Sequence, residues 1–274
     1  MASRMITKRI NDIIIQGFSL AGEETVIALP EMNLAFDVGR APREIIGIDH
    51  ICLSHGHMDH AAGLAYYFSQ RNFQGIHPGC VLAHHNLVPA IEELMQIWGR
   101  IEGHISPSQI VGVDEDEDFA VNRNLIVRPF RVSHPGPTLG FSAIEVRKKL
   151  KPEYADYSSQ QLVDLKKQGQ TIEYRLEIPK VAFCGDSAIG SFLDHDHVRN
   201  AQVLIIECTF FEDDHVERAR KGQHLHVIDW PKLMERINSP HVLLHHVTRR
   251  TGIGQAKKIL AKILSPTDLE RVTF

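Results

Sequence analysis

Residues Ser54-His55-Gly56-His57-Met58-Asp59-His60 place three histidines and one aspartate within six positions. Imidazole nitrogen and carboxylate oxygen are the donors that zinc and similar first-row divalent ions take. Four such side chains exceed what one tetrahedral ion draws from a single loop, so the spacing points to two ions sharing a cleft. The plain alternative is a polar loop in a chain with 17 histidines. The donor types, their H-x-H-x-D-H order and the flanking strand and helix patterns favour metal chemistry over that alternative.

The apolar run over residues 46–53 reads as a strand leading into the loop, and residues 61–68 as a helix leaving it. Such a strand–loop–helix turn can aim several side chains at one point. Upstream, residues 12–18, 24–29 and 34–37 read as short strands between Gly- and Pro-containing turns. Asp37 closes the last of these; it could hold a ligand histidine or cap the next turn. Downstream, residues 81–84 read as a strand and 87–101 as an amphipathic helix, with His84 and His85 as polar residues at its start. The acidic run Asp114-Glu115-Asp116-Glu117-Asp118 reads as a solvated turn. Residues 125–132, 180–184, 203–206 and 241–246 read as strands, 158–168 and 254–264 as helices, and 271–274 as a terminal strand. There is no internal repeat or low-complexity linker, so one domain over 1–274 is expected.

His55-Gly56-His57-Met58-Asp59-His60 resembles the H-x-H-x-D-H signature of the metallo-β-lactamase superfamily. The resemblance implies an α/β fold built as a four-layer αββα sandwich. Three later residues, each ending a strand-like run, match the remaining ligands: His134, Asp186 and His246. In that scheme His55, His57 and His134 serve one ion, and Asp59, His60 and His246 the other. Asp186 bridges them, since a carboxylate can span two cations with its two oxygens. The implied cofactor is two Zn2+, with Mn2+ or Fe2+ as alternatives. Strand alternation would turn His245, beside His246, to the opposite face.

The later motifs select a branch. His134 with Pro137-Thr138-Leu139-Gly140-Phe141, then Gly185-Asp186-Ser187, Glu207-Cys208-Thr209-Phe210 and His246-Val247-Thr248-Arg249-Arg250, resemble the ribonuclease Z family of tRNA 3′-processing endonucleases, short form. Leu34-Ala35-Phe36-Asp37-Val38-Gly39-Arg40 and Lys149-Leu150-Lys151-Pro152-Glu153-Tyr154 are similar to that form too. The resemblance implies endonucleolytic removal of 3′ trailers from precursor tRNA by a homodimer. It gives Asp59 a role in orienting water or taking its proton, and makes Glu207 and His224 a pair that protonates the leaving oxygen. His226 is the competitor for the His224 role. The sequence departs from the family at Val247-Thr248 and Thr251, where Phe-Ser and Tyr are usual, and at Gln223, where Gly is usual. The alternative on the same ligands is a small-molecule phosphodiesterase or an ester or lactone hydrolase. A non-catalytic RNA-binding protein would be expected to have lost ligands, and the full set is present.

A formal net charge of −4 gives no overall basic bias, so RNA would have to be met by a local patch. Arg147, Lys148, Lys149 and Lys151, with Lys166 and Lys167, form such a segment over about 147–170. It is a candidate small exosite-like insertion where the resembled family carries its tRNA-gripping arm. The four cysteines show no C-x-x-C pair, and Cys52, Cys184 and Cys208, in or at the end of apolar strand-like runs, read as buried thiols of a reducing compartment. Residues 1–9 lack the apolar core of a signal peptide, and no stretch approaches a membrane span. A cytoplasmic protein is the expectation. His195, His197 and His215 sit among aspartates and read as loop residues.

Overall fold

The computed structural model describes residues 5–274; residues 1–4, the start of the stretch read for a leader, lie outside the described residues. Two mixed sheets pack face to face. The first runs in chain order: β1 Ile6–Ile10, β2 Ile13–Leu20, β3 Glu24–Leu29, β4 Leu34–Phe36, β5 His50–Cys52, β6 Cys80–His84 and β7 Gln109–Val113. The second is built from β8 Phe119–Asn122, β9 Leu125–Arg131, β10 Leu139–Leu150, β11 Glu173–Phe183, β12 Val203–Glu207, β13 His241–His245 and β14 Val272–Thr273, again with sequence neighbours side by side. Pairing is antiparallel from β1 to β4 and from β8 to β11, then parallel from β4 to β7 and from β11 to β14.

Parallel strands need crossovers, and here these are helices covering the outer faces. α1 Met58–Ala61, α2 Leu64–Phe73 and α3 Val88–Glu102 serve the first sheet; α4 Ser159–Lys167 lies in the β10–β11 connection. α5 Asp196–Arg199, α6 Val216–Gly222, α7 Trp230–Met234, α8 Ile253–Ile263 and α9 Pro266–Arg271 follow in the second half. Strand β12 is buried at every position, as a parallel strand covered on both faces must be. Three apolar clusters fill the layers. Val26, Ile51, Tyr67, Phe68 and Met95 lie under the first sheet's helices, and Leu204, Ile206, Trp230 and Leu260 under the second's. Between the sheets are Ile13, Ile15, Phe36, Phe141 and Phe183. Phe36 stacks on Phe183 across that seam, ring centroids 4.9 Å apart. The layering expected from the resemblance is the one observed.

The expected helix over 61–68 is instead two, broken at Ala62 and Gly63. Gly63 lies against the chain after β4: its N–H donates to the Gly39 carbonyl at 2.7 Å, and a Cβ there would fall 2.4 Å from Ala41 N. The basic residues Arg147, Lys148 and Lys149 are part of β10. Beyond Glu145 that strand has only β11 as a neighbour, so its outer end and α4 form a projecting two-stranded arm.

Candidate metal centre and catalytic pair

The site forms where parallel strands end, the usual place for loops that carry chemistry in α/β sheets. Asp37 follows β4, β5 delivers Ser54 to His60, β11 delivers Asp186, β12 ends at Glu207 and His246 follows β13. His134 follows β9 of the second sheet. Two of these turns are left-handed at residues other than glycine, Asp37 and His246, both at φ +57°. Gly185 also sits at φ +58°, where a Cβ would press on Ser54 Cβ at 2.9 Å. That close approach lets Asp186 reach the histidine loop.

All seven expected ligands meet in one cluster. Ligand atoms of His55, His57, His134 and Asp186 lie within 4.8 Å of one another, as do those of Asp59, His60 and His246. Asp186 Oδ2 links the two groups, at 3.8 Å from His55 Nε2, 3.4 Å from His60 Nε2, 4.0 Å from His134 Nε2 and 3.3 Å from His246 Nε2. Asp59 Oδ2 lies 3.6 Å from His60 Nε2 and 3.3 Å from His246 Nε2, and accepts the Gly22 N–H at 2.8 Å.

Four imidazoles are held from behind. His55 Nδ1 meets Ser54 Oγ at 2.9 Å, His60 Nδ1 meets Asp37 Oδ2 at 2.6 Å, His134 Nδ1 meets the Gln223 carbonyl at 3.2 Å and His246 Nδ1 meets Thr209 Oγ1 at 3.0 Å. Each contact turns Nε2 inward, the arrangement that orients histidine toward a cation. His55 Nε2, His60 Nε2 and Asp186 Oδ1 are buried without a hydrogen-bond partner. Buried polar atoms left unpaired are costly, and here they converge on the same space. The donor set therefore fits divalent cations with nitrogen and oxygen ligands.

Burial, then the neighbouring His60, pushes His55 down to about 2, so the ring is neutral and its lone pair free. His60 is held well above its ordinary value: burial opposes its charge, but Asp186 and Asp37 outweigh burial. Asp186 is also fully buried, yet His246 and His60 hold its carboxyl well below the usual range. Excess negative charge gathered in one pocket is what a cation would neutralise.

Beside the cluster lies the second expected constellation. Glu207 is fully buried; it accepts the Ser187 N–H at 2.8 Å, the Leu225 N–H at 3.2 Å and the Thr209 N–H at 3.1 Å, along with the Thr209 hydroxyl. His224 Nδ1–H donates to Glu207 Oε1 at 2.8 Å. Burial disfavours charge on His224, but the Glu207 carboxylate wins and raises it. His224 also lies near Asp186 and His246; with Nδ1 committed to a carboxylate it is placed to carry a proton. His224 lines a cleft of about 390 Å³ with His57, Asp59, Phe210, Thr248 and the guanidinium-bearing Arg218, Arg249 and Arg250, while Glu207 lies buried behind it. His226 is not brought here: it is buried, its Nε2 facing the Glu212 carbonyl at 2.9 Å. His245 turns into the seam against Phe183, rings 5.2 Å apart.

Asp37 holds His60, and it accepts the Ser54 N–H at 2.7 Å and hydroxyl at 2.9 Å as well. Of the two roles open to it in the sequence, this is the first. Sequence reasoning missed Thr209, Ser54 and the Gln223 carbonyl. Thr209 lies in Glu207-Cys208-Thr209-Phe210, where nothing in the sequence gives it a role. Gln223 was visible as a departure from glycine, and its φ of +56° gives the physical reason glycine suits the position.

The sequence family described as beta-lactamase superfamily domain matches residues 25–247. The chain is 29% identical to tRNase Z TRZ1 of Arabidopsis thaliana over 93% of its own length and 92% of that relative. It is 30% identical to the nuclear ribonuclease Z of Triticum aestivum, over 58% of its own length and 90% of that relative. Its fold is similar to that of human tRNase Z, short form, at 17% identity, with a TM-score of 0.54 and coverage of 90% of this chain and 88% of the other. With a donor cluster suited to divalent cations and this kinship, the chain is a hydrolase of the beta-lactamase superfamily and belongs, within it, to the ribonuclease Z family.

Proposed function

We propose that the chain is a metal-dependent endoribonuclease that removes 3′ trailers from precursor tRNA, with two Zn2+ held by His55, His57 and His134 on one side, Asp59, His60 and His246 on the other, and Asp186 between. The observation that carries this reading is His224 on the wall of the donor cluster, held from behind by buried Glu207. A ribose 3′-oxygen is a poor leaving group and needs a proton as the bond to phosphorus breaks.

The chemistry that divalent ions would supply here is Lewis-acidic: a lowered water pKa and offset charge on the phosphate oxygens. Asp59, held by Gly22 N–H, orients the attacking water and takes its proton. The water oxygen bonds to phosphorus as the bond to O3′ breaks, and His224 delivers its proton to O3′ while Glu207 stabilises the charged ring. The tRNA keeps a 3′-hydroxyl and the trailer a 5′-phosphate. Arg218, Arg249 and Arg250 supply positive charge to the flanking phosphates.

The arm is the RNA-gripping element of this reading. Lys148 and Lys149 are exposed on its outer strand. Arg147, Lys151, Lys166 and Lys167 are partly offset by Glu145, Glu153, Glu173 and Asp164. A homodimer is supported by an exposed apolar face on adjacent helices: Tyr66 and Phe73 on α2, and Ile97, Trp98 and Ile101 on α3, with Ser69 and Glu102 hydrogen-bonded between them. Sedimentation showing only monomer at micromolar concentration would remove that part. No helix among the described residues is long and apolar enough to cross a membrane, and four free buried thiols support a reducing, cytoplasmic setting.

The test is cleavage of a 3′-extended tRNA transcript by the native chain, by Asp186→Ala and by Lys148→Glu/Lys149→Glu. Native cleavage, loss in Asp186→Ala and a raised KM with strong salt dependence in the lysine variant are expected. A native chain inert on the transcript yet active on bis(p-nitrophenyl) phosphate would replace this reading with a small-molecule diesterase.

A further inference from the structure

Away from the cleft, a second set of donors meets at the turn joining the two sheets. Asp116 stands in that turn, and His195 and His197 flank the start of α5; one ligand atom from each lies within 4.8 Å of those of the other two. The sequence suggested solvated loops, but both histidines are half-buried, their rings 5.3 Å apart. Both rest near Phe130, at 6.1 Å and 5.9 Å.

His197 carries the argument. Its Nδ1 lies 2.9 Å from the hydroxyl of fully buried Ser142, and its Nε2 is buried with no hydrogen-bond partner. With Nδ1–H donating to Ser142, Nε2 keeps a lone pair that none of the described residues satisfies. This repeats the logic of the catalytic centre, one nitrogen anchored and the other presented. Burial, then His195 and Arg128, pushes His197 down to about 4, so the ring is neutral near pH 7. Asp116 sits at φ +62°, its N–H held by the Pro129 carbonyl at 3.0 Å. Glu115 adds local negative charge 3.4 Å from His195 Nε2. The nearby trio His84, His85 and Asp114 presents no buried unpaired nitrogen of this kind. His84 Nδ1 accepts the Asn86 N–H at 3.2 Å, which leaves the proton on Nε2, and exposed His85 meets half-buried Asp114 directly through Nδ1 at 2.7 Å.

We propose that Asp116, His195 and His197 form an additional zinc-type cation site, separate from the catalytic centre, that pins the inter-sheet turn to the segment following the Asp186 loop. Two imidazoles and one carboxylate leave a coordination position for water, a donor set suited to zinc.

The metal-depleted full chain is titrated with Zn2+ against a chromophoric chelator, beside Asp116→Asn and His197→Ala, each also made in an Asp186→Ala background. Asp116 is exposed, so Asp116→Asn leaves the core intact even where His197→Ala disturbs packing. Each variant is expected to bind about one ion fewer than its parent, and Zn2+ to raise the melting temperature of the native chain more than that of Asp116→Asn. Equal uptake by parent and Asp116→Asn in both backgrounds overturns the site. Loss of uptake on Asp186→Ala alone reports on the catalytic centre, so the two readings fail separately.

Discussion

Asp37→Asn isolates how one buried carboxylate chooses which nitrogen of His60 faces the donor cluster. Asp37 Oδ1 accepts the Ser54 N–H at 2.7 Å; Oδ2 accepts the Ser54 hydroxyl at 2.9 Å and His60 Nδ1–H at 2.6 Å. Asparagine keeps the volume and tolerates the left-handed backbone at φ +57°. Its amide oxygen must stay on the Ser54 N–H, which cannot become an acceptor, whereas the Ser54 hydroxyl can turn. The NH2 group then points at His60 Nδ1 and donates to it. The ring proton moves to Nε2, the atom aimed at Asp59 and Asp186. One of three donors in the Asp59, His60 and His246 group is blocked. Altering such an anchoring partner costs roughly 10–100-fold in metal affinity, about 1.4–2.7 kcal/mol. Chelator competition with Zn2+ measures it, and nitrogen-15 spectra of the histidine rings report the tautomer. Unchanged affinity, or His60 still protonated on Nδ1, refutes the reasoning.

Glu207→Gln turns an amide NH2 toward backbone N–H donors and removes the charge beside His224, so single-turnover cleavage of a 3′-extended transcript should slow about 10²–10⁴-fold. His224→Ala should fall to a similar level and the double variant no lower, because the two act as a unit. Arg71→Met leaves the carbonyls of Ile46, Ile48 and His77 and the Asp49 carboxylate without their buried guanidinium. Urea unfolding should show a loss of about 3–5 kcal/mol. Gln223→Gly relieves left-handed strain of roughly 1–2 kcal/mol against a glycine entropy cost of roughly 0.5–1 kcal/mol. Thermal melts should show equal or slightly higher stability.

The ligand loop was readable because its donors are packed into one short segment. His134, Asp186 and His246 were readable because each ends an apolar run. Of the anchoring contacts only that of Asp37 was open in the sequence; those of Thr209 and the Gln223 carbonyl were not, since they join residues far apart in the chain, 37 positions for Thr209 and His246 and 89 for His134 and Gln223. Strands β7 and β8 escaped notice because they are short and partly exposed, so little hydrophobic period survives in them. The break between α1 and α2 is tertiary in origin, set by Gly63 against Ala41. His197 was legible only as one histidine among many, because its unsatisfied nitrogen exists only once Ser142 is packed beneath it.

The two sheets use consecutive halves of the chain, joined only through the turn between Val113 and Phe119. During synthesis the first sheet is therefore complete on the ribosome while its partner is still untranslated, for on the order of 10–30 s. Throughout that interval Ile13, Ile15, Leu34 and Phe36, which the second sheet later covers, have no mate. The nascent protein thus spends its most aggregation-prone moments as half a sandwich, with its inner face open to chaperones or to another unfinished copy.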